Sequence, residues 1–304
     1  MPMQDIVFEI GGMRFRSGLV DENGRVASRV AFDSPTRPEE VVEHIQRIVE
    51  SYAVSAPNAA VGIAIGGIVE KNGLVTSGTI NMSEYPLAEK LALTRPVAVI
   101  NDAKAAALAE AVYNPRLAGE SSFVLMTIST GIGGGVVLNG ELYEGETGTA
   151  GEVGHMIIDN GQDLYCRLGH RGCLDALASG RALDNRLRKL WREGHWNQHG
   201  NGIGIQDLPS LLANNDGMAQ RLIRETGQWI GAGVMSIIRV LDPCEIIFKG
   251  YLVTELWPYL QPHIANVIRG YERTVPMSLT SLGDNAGLVG AGIAIRRRQQ
   301  SSNV

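Results

Sequence analysis

Cysteine is scarce in this chain, three among 304 residues, and an odd number of thiols argues against a disulfide framework. Cys166 and Cys173 stand close together beside histidines, a spacing open to a metal, while Cys244 stands alone in an apolar context. There is no surplus of positive charge either. With a formal net charge of −5 the chain has no electrostatic footprint for a polyanion, and no nucleic-acid partner is expected. It also lacks any apolar run near the ~20 residues that span a bilayer. Its first residues, MPMQDIVFEI, have neither a basic segment nor an apolar one of signal-peptide type. The expectation is a cytoplasmic protein with no membrane partner. What is present, 44% hydrophobic and 19% charged residues, is ordinary for a soluble protein, and the length allows about two domains of ~150 residues each.

Glycine is placed with purpose. From Phe123 to His155 the chain reads FVLMTISTGIGGGVVLNGELYEGETGTAGEVGH. An apolar run, Val124 to Ile128, enters a turn holding Thr130, Gly131, Gly133, Gly134 and Gly135, and a second run, Val136 to Leu138, leaves it. This spells strand, glycine turn, strand. Glycines let backbone N–H groups converge on an anion with no Cβ in the way, and Ser129 and Thr130 add hydroxyls, so a phosphate is the natural guest. A dinucleotide fingerprint needs glycine at position 136, where Val136 stands, and a Walker loop needs a closing Lys-Ser or Lys-Thr pair. Both patterns fail, and a glycine hairpin with no ligand is the alternative.

The same order of events occurs near the start. Ile6 to Ile10 reads as a strand containing Glu9, which meets Gly11-Gly12 and continues through Phe15 to Val20. Two such hairpins, one per half, suggest an internal duplication. Pro38 suits a first helical position, with Val41, Ile45, Val49 and Tyr52 on one face of the helix that follows. Ala60 to Ile65 reads as a buried strand ending at Gly66-Gly67, Asn81 falls in a loop, and Pro86 to Leu93 reads as a short helix. Val97 to Ile100 makes another strand, closed by Asn101-Asp102 before an alanine-rich helix from Ala103 to Val112. Asp102 reads as a helix N-cap, and a carboxylate at the carboxyl end of a buried α/β strand also lies where ligands bind. Beyond His155 comes a loop-rich insert with His155, Cys166, His170 and Cys173, then a helix from Ala182 to Trp191. Gly194 to Ile205 reads as an exposed loop, Met218 to Leu241 as a long helix, Glu245 to Phe248 as a strand, and Gly287 to Ile295 as a small-residue helix. The run Arg296-Arg297-Arg298 after it reads as a solvated tail.

EIGGMRF, INDAKAAALAE, STGIGGGVV, GTAGEVGH, GCLDALASGR and DNAGLVGAGIA together resemble the ROK family of bacterial sugar kinases, and within it the N-acylmannosamine and glucose kinases. The resemblance implies an α/β protein of the two-lobed actin-like, ribonuclease H-like ATPase fold with a duplicated βββαβα core. A small lobe of residues 1–115 with 290–304 and a large lobe of residues 116–289 are expected. It further implies ATP and Mg2+, a hexose or N-acylhexosamine phosphorylated on its 6-hydroxyl, and a homodimer. Asp102 matches the family's catalytic base. Asn81, Asn101, Glu152 and His155 match residues that hydrogen-bond the sugar, as does Asp175, where the family usually has Glu. Glu9, Gly11, Gly12, Thr130, Gly131, Gly133 and Gly134 match the phosphate-holding turns, and Gly250 the adenosine motif.

The departures are specific. Glu9 stands for an aspartate, displacing the carboxylate by ~1.5 Å; Met13 and Arg14 stand for Thr-Lys, and Lys249 for the first of two glycines. In the family's zinc motif Leu168 replaces one cysteine. His155, Cys166 and Cys173 then remain as ligands, with the fourth left to His170 or a carboxylate, so zinc and a metal-free loop of reduced thiols both stay open. A sugar-binding regulator with weakened catalysis is the alternative function. The family's repressors carry a helix-turn-helix ahead of the first strand, and only five residues precede it here, so that form is not expected.

Overall fold

The structure, a computed structural model, describes residues 4–117, 119, 121–196, 202–270 and 274–301. The chain divides into two compact units, one of Met1–Leu125, Gly135–Gly151 and Thr280–Val304, the other of Met126–Gly134 and Glu152–Leu279.

The chain opens with an antiparallel meander, β1 (Gln4–Ile10), β2 (Arg14–Asp21) and β3 (Val26–Asp33). Helix α1 (Pro38–Ser51) follows and then β4 (Val61–Ile65), which pairs parallel to β1 with Ile6 opposite Val61. A small sheet of β5 (Ile68–Val69), β6 (Val75–Ser77) and β7 (Met82–Tyr85) leads through α2 (Leu87–Lys90) to β8 (Val97–Asn101) and α3 (Asp102–Tyr113). The main sheet has the order β3-β2-β1-β4-β8. Strand β1 is buried on both faces because each face has its own cover. Ile6, Phe8 and Ile10 join Val41, Ile45 and Val49 of α1 in one core, and Val7 points into another built with Ala105, Leu108 and Ala109 of α3. The period-2 alternation of a strand assigns these neighbours to opposite layers.

The second half repeats the pattern with β9 (Phe123–Ile128), β10 (Ile132–Leu138) and β11 (Glu141–Tyr143). Then come α4 (Leu174–Ala178), α5 (Gly180–Arg192), α6 (Leu208–Ala213), α7 (Gly217–Leu241), β12 (Glu245–Lys249), α8 (Tyr251–Ile268), β13 (Met277–Leu279) and α9 (Ala286–Ser301). The sheet order β11-β10-β9-β12-β13 matches the first sheet, an antiparallel meander extended by parallel strands. The duplicated α/β architecture expected from the sequence is the one observed.

Several local readings need correction. The glycines at 133–135 lie inside β10 rather than in a turn ahead of it, because Gly135 lets the strand approach α3: a Cβ there would come within 2.5 Å of Ala107 Cβ. The arginine run is no solvated tail, since α9 continues to Ser301. Arg296 is drawn back to Asp5 at 2.8 Å and Arg297 to Glu141 at 2.7 Å. Nor is the segment from Gly194 to Ile205 simply exposed. Residues 197–201 of it lie outside the described residues, but Trp196 and Ile203 are buried, and Trp196 Nε1 donates to Asp216 Oδ2 at 2.8 Å.

A buried acid ties α3 to the chain entering α9. The carboxylate of Glu110, fully buried, accepts from Asn114 Nδ2 (2.7 Å), Thr280 Oγ1 (2.5 Å), Ser281 N (2.9 Å) and Ser281 Oγ (3.0 Å). Glu110→Gln replaces one acceptor by a donor facing donors, so a loss of about 1–3 kcal/mol in stability is expected. It would be read as a lower urea midpoint at unchanged m-value, and an unmoved midpoint would show that water or rotamer change satisfies the site.

Candidate functional site

In the first unit the phosphate-turn candidates lie at the β1–β2 bend. Gly11 N donates to Arg14 O at 2.9 Å, closing the bend around Gly12 and Met13, whose side chain is exposed. Glu9, one residue before the end of β1, is buried and accepts from Arg16 Nη1 at 3.2 Å. Arg16 and Arg29 also face Asp284, at 3.6 and 3.5 Å. A Cβ on Gly287 would stand 2.4 Å from Glu9 Cδ, so the first turn of α9 packs directly on this acid. The one-methylene extension at Glu9 is thus matched by a cation and a glycine, a partnership that reading position 9 alone did not reveal.

Asn101 and Asp102 join β8 to α3. Asn101, not Asp102, is the N-cap: its Oδ1 accepts from Lys104 N at 3.0 Å, and its Nδ2 donates to Gly67 O at 2.8 Å. Asp102 is instead the first helical residue, half-buried, with Oδ1 accepting from Ala103 N at 2.8 Å. An ideal Cβ on Gly66 would lie 3.5 Å from Asp102 Oδ2, so the carboxylate lies over a strip of backbone that offers it room. A negative group in the first helical turn is favoured by the orphan N–H groups and the helix dipole. Asn81 lies on an exposed turn at φ 55°, and its Nδ2 donates to Thr36 O at 3.2 Å.

Lys104 was not among the residues singled out from the sequence. It is buried at 2% exposure, and its Nζ donates to Gly148 O. Gly148 sits at φ 92°, and the adjoining Thr147 O accepts from Lys71 N at 3.1 Å. The ammonium therefore fastens the 144–151 loop to the helix that begins with Asp102. A lone cation in an alanine-rich helix was the available signal, since burying it demands acceptors.

In the second unit the turn after β9 is gripped from below. Ser129 O accepts from Gly180 N (2.8 Å) and Thr130 O from Arg181 N (3.1 Å), so the start of α5 holds the turn's carbonyls. Ile132 N donates to Asp175 Oδ1 at 2.9 Å, and Gly133 N to Thr127 Oγ1 at 3.1 Å. Asp175 is buried, and its other oxygen accepts from Arg181 Nη2 at 2.8 Å. The structure thus places Asp175 beneath the glycine turn, paired with an arginine that the sequence reading did not weigh. Gly250, at φ 120°, begins α8 where a Cβ would meet Ile128 O at 2.5 Å, so only glycine brings the chain that close to β9.

Glu152 precedes a short 3-10 turn, Val153–His155, that carries His155 toward the cysteines. The ligand atoms of His155, Cys166, His170 and Cys173 all lie within 4.8 Å of one another. Cys166 N donates to His170 O at 3.1 Å and His170 N to Cys166 Sγ at 3.3 Å, with Gly169 at φ 82° making the reversal. Leu168 points outward at 44% exposure. Burial pushes the Cys173 thiol up to about 11 and lowers the His155 pKa. Tetrahedral zinc keeps its N and S ligands ~3.3–3.8 Å apart, so this set needs a contraction of about 1 Å to close on an ion. The donor set present, two thiols and two imidazoles, fits a Cys2His2 centre.

These units define a class: an α/β protein of the actin-like, hexokinase-like ATPase fold, with duplicated sheets and a glycine turn in each half. The ROK family model matches residues 6–298, and the chain belongs to that family. It is 32% identical over 306 residues to a glucokinase of Streptomyces coelicolor, covering 93% of this chain and 94% of the relative. It is 28% identical to an N-acetylmannosamine kinase of Haemophilus influenzae, covering 97% and 96%. Among solved structures, a ROK family glucokinase from Streptomyces griseus in complex with glucose and AMPPNP superimposes with a TM-score of 0.83 at 28% identity, over 97% of this chain and 99% of that one. Among the described residues no helix is long and apolar enough to cross a membrane.

Proposed function

We propose that this protein is an ATP-dependent sugar kinase that transfers phosphate to the 6-hydroxyl of a hexose or N-acylhexosamine. The observation that carries the reading is the placement of Asp102, half-buried at the end of a parallel strand and the first turn of a helix. Phosphoryl transfer asks the protein for position and charge rather than covalent chemistry. Asp102 accepts the hydroxyl proton as the sugar oxygen bonds to the γ-phosphorus and the bond from that phosphorus to the departing ADP oxygen breaks, while its Oδ1 stays anchored to Ala103 N. Asn101, bonded to Gly67 and Lys104, fixes the strand end that presents the base. Asn81, Glu152, His155 and Asp175 serve the sugar, Asp175 with the lone pairs left beside its bonds to Ile132 N and Arg181. Gly11, Gly12, Thr130, Gly131, Gly133 and Gly134 form the two bends that hold the phosphates, Gly11 and Gly133 by shaping them, since their own N–H groups donate to Arg14 O and Thr127 Oγ1, and the others by offering backbone or hydroxyl donors; Gly250 serves the adenosine. Mg2+ bound with ATP would neutralise phosphate charge, and Glu9, held by Arg16, is an acid of the first unit suited to hold it or its water. The domains act as a small lobe (1–115 with 290–304) and a large one (116–289), in a homodimer.

An ADP-release assay across hexoses and N-acylhexosamines tests this reading. Release that depends on one sugar class supports it; sugar binding with no turnover for any of them would replace it with the regulator.

Zinc supplies a structural cross-link when bound, and His155, Cys166, His170 and Cys173 would hold it. With Nδ1 of His155, 3.9 Å from Cys173 Sγ, given to the metal, the ring keeps its proton on Nε2 as a donor for a sugar hydroxyl. His170→Ala is expected to weaken zinc retention by about 100-fold or more, above the ~10–100-fold lost when only an outer partner is removed. Metal content after dialysis against a chelator, with the cobalt-substituted spectrum as reporter of four-coordination, reads the effect. Equal retention by the variant would remove His170 from the ligand set.

A further inference from the structure

The second unit contains a cleft that none of the roles above uses. A cavity of about 150 Å³ opens beside α5, lined by Arg181, Asn185, Arg186 and Lys189 from the helix and by Leu164 and Tyr165 from the metal loop. Among its described lining residues three are cations, each with a carboxylate partner outside the lining, and Asn185 and Tyr165 add neutral donors. The two arginines are already held in place. Arg181 is fixed by Asp175, and Arg186 is paired with Glu225 and lies over the Trp229 ring at 4.8 Å. Pre-ordered guanidinium groups lose little freedom when they bind, and their planar donors suit tetrahedral oxyanions. Lys189 extends at the rim with 75% of its side chain exposed, 3.9 Å from Glu193.

The same helix reaches the glycine turn. Gly180 N and Arg181 N bind Ser129 O and Thr130 O, and the arginine that faces the cleft is the one that holds Asp175, which in turn accepts from Ile132 N. An anion seated on Arg181 competes with Asp175 for one guanidinium, so charge in the cleft bears on the turn two hydrogen bonds away.

We propose that the α5 cleft is a regulatory site for a small phosphate-bearing anion, either inorganic phosphate or a sugar phosphate, and that its occupation loosens the Arg181–Asp175–Ile132 chain and weakens use of the nucleotide turn. The regulatory half rests on the kinase reading; the binding half does not. Coupling through such a chain is reciprocal, so nucleotide at the turn also weakens the anion.

Equilibrium dialysis with labelled inorganic phosphate, run with and without a non-hydrolysable ATP analogue that fills the proposed nucleotide turn, tests binding. One phosphate per chain is expected to remain in the analogue's presence, with affinity reduced by about tenfold or more in Lys189→Glu, a reversal of charge at the rim. In kinetics, phosphate should raise the KM for ATP at least about fivefold in the wild type and markedly less in Lys189→Glu, which leaves only direct competition at the turn. Hexose 6-phosphate in place of phosphate distinguishes the two sources by which binds more tightly in a Lys189-dependent way. No retained phosphate up to about 10 mM, or equal retention by Lys189→Glu, overturns the site. An equal rise in KM in both proteins overturns its regulatory role. Lys189-dependent phosphate binding in a protein that shows no sugar-dependent ADP release would uphold the site and defeat the kinase reading instead.

Discussion

Asp102→Asn is expected to lower kcat by about 10²–10⁴-fold, the usual worth of a positioned general base, while sugar affinity measured by calorimetry stays within about threefold. The substitution is nearly isosteric. An amide oxygen can still accept from Ala103 N at the position where Oδ1 now lies 2.8 Å away, so the start of α3 keeps its geometry and the melting temperature should hardly move. What is lost is the ability to take a proton as the sugar oxygen attacks. Loss of sugar binding in parallel with loss of turnover would show instead that Asp102 is chiefly a positioning residue. Unchanged turnover would remove it from the mechanism altogether.

The largest expected effect on stability comes from a methyl group far from any charge. A Cβ on Gly290 would stand 1.8 Å from Ala105 O, and one on Gly62 2.2 Å from Ala291 O. Helix α9 is thus pressed against backbone both on α3 and on β4. No rotamer change relieves a clash with a carbonyl, so Gly290→Ala forces a backbone shift. Overpacking of this kind costs about 3 kcal/mol, at the upper end of its usual range, equivalent to roughly 6–12 °C in Tm. Gly217→Ala is the control, because nothing lies within 4 Å of its Cβ position, and its effect should stay within about 1 kcal/mol. Similar melting curves for the two variants would mean that the α3–α9 contact has slack. The functional consequence follows from the location: α3 carries Asp102 at its first residue, so displacing it should raise KM and lower kcat together.

The strand-and-turn frame of the candidate site was legible because it is written in contiguous stretches of sequence. Asn101-Asp102 closing a buried apolar run and the glycine turn after Ile128 are local patterns, and local patterns survive in a one-dimensional reading. The cap was misplaced by one residue because Asn and Asp serve equally well there, and only the path of the backbone shows that Asn101 Oδ1 meets Lys104 N. His170 could be named as one candidate among several. What selects it is the reversal at Gly169, which turns Leu168 outward and brings the imidazole to the thiols.

The sequence by itself determined the alternation of strands and helices, the duplication, the family and the acids and glycines that phosphoryl transfer would need. The alternation and the duplication follow from periodicity, and the family and the candidate acids and glycines from the motifs by which the chain resembles that family. Tertiary structure alone decided which charges were neutralised and by whom: Glu9 by Arg16, Asp175 by Arg181, Asp5 by Arg296, 291 positions apart. An ion pair or a backbone clash depends on distance in space, and separation along the chain places no bound on that distance once the chain is folded.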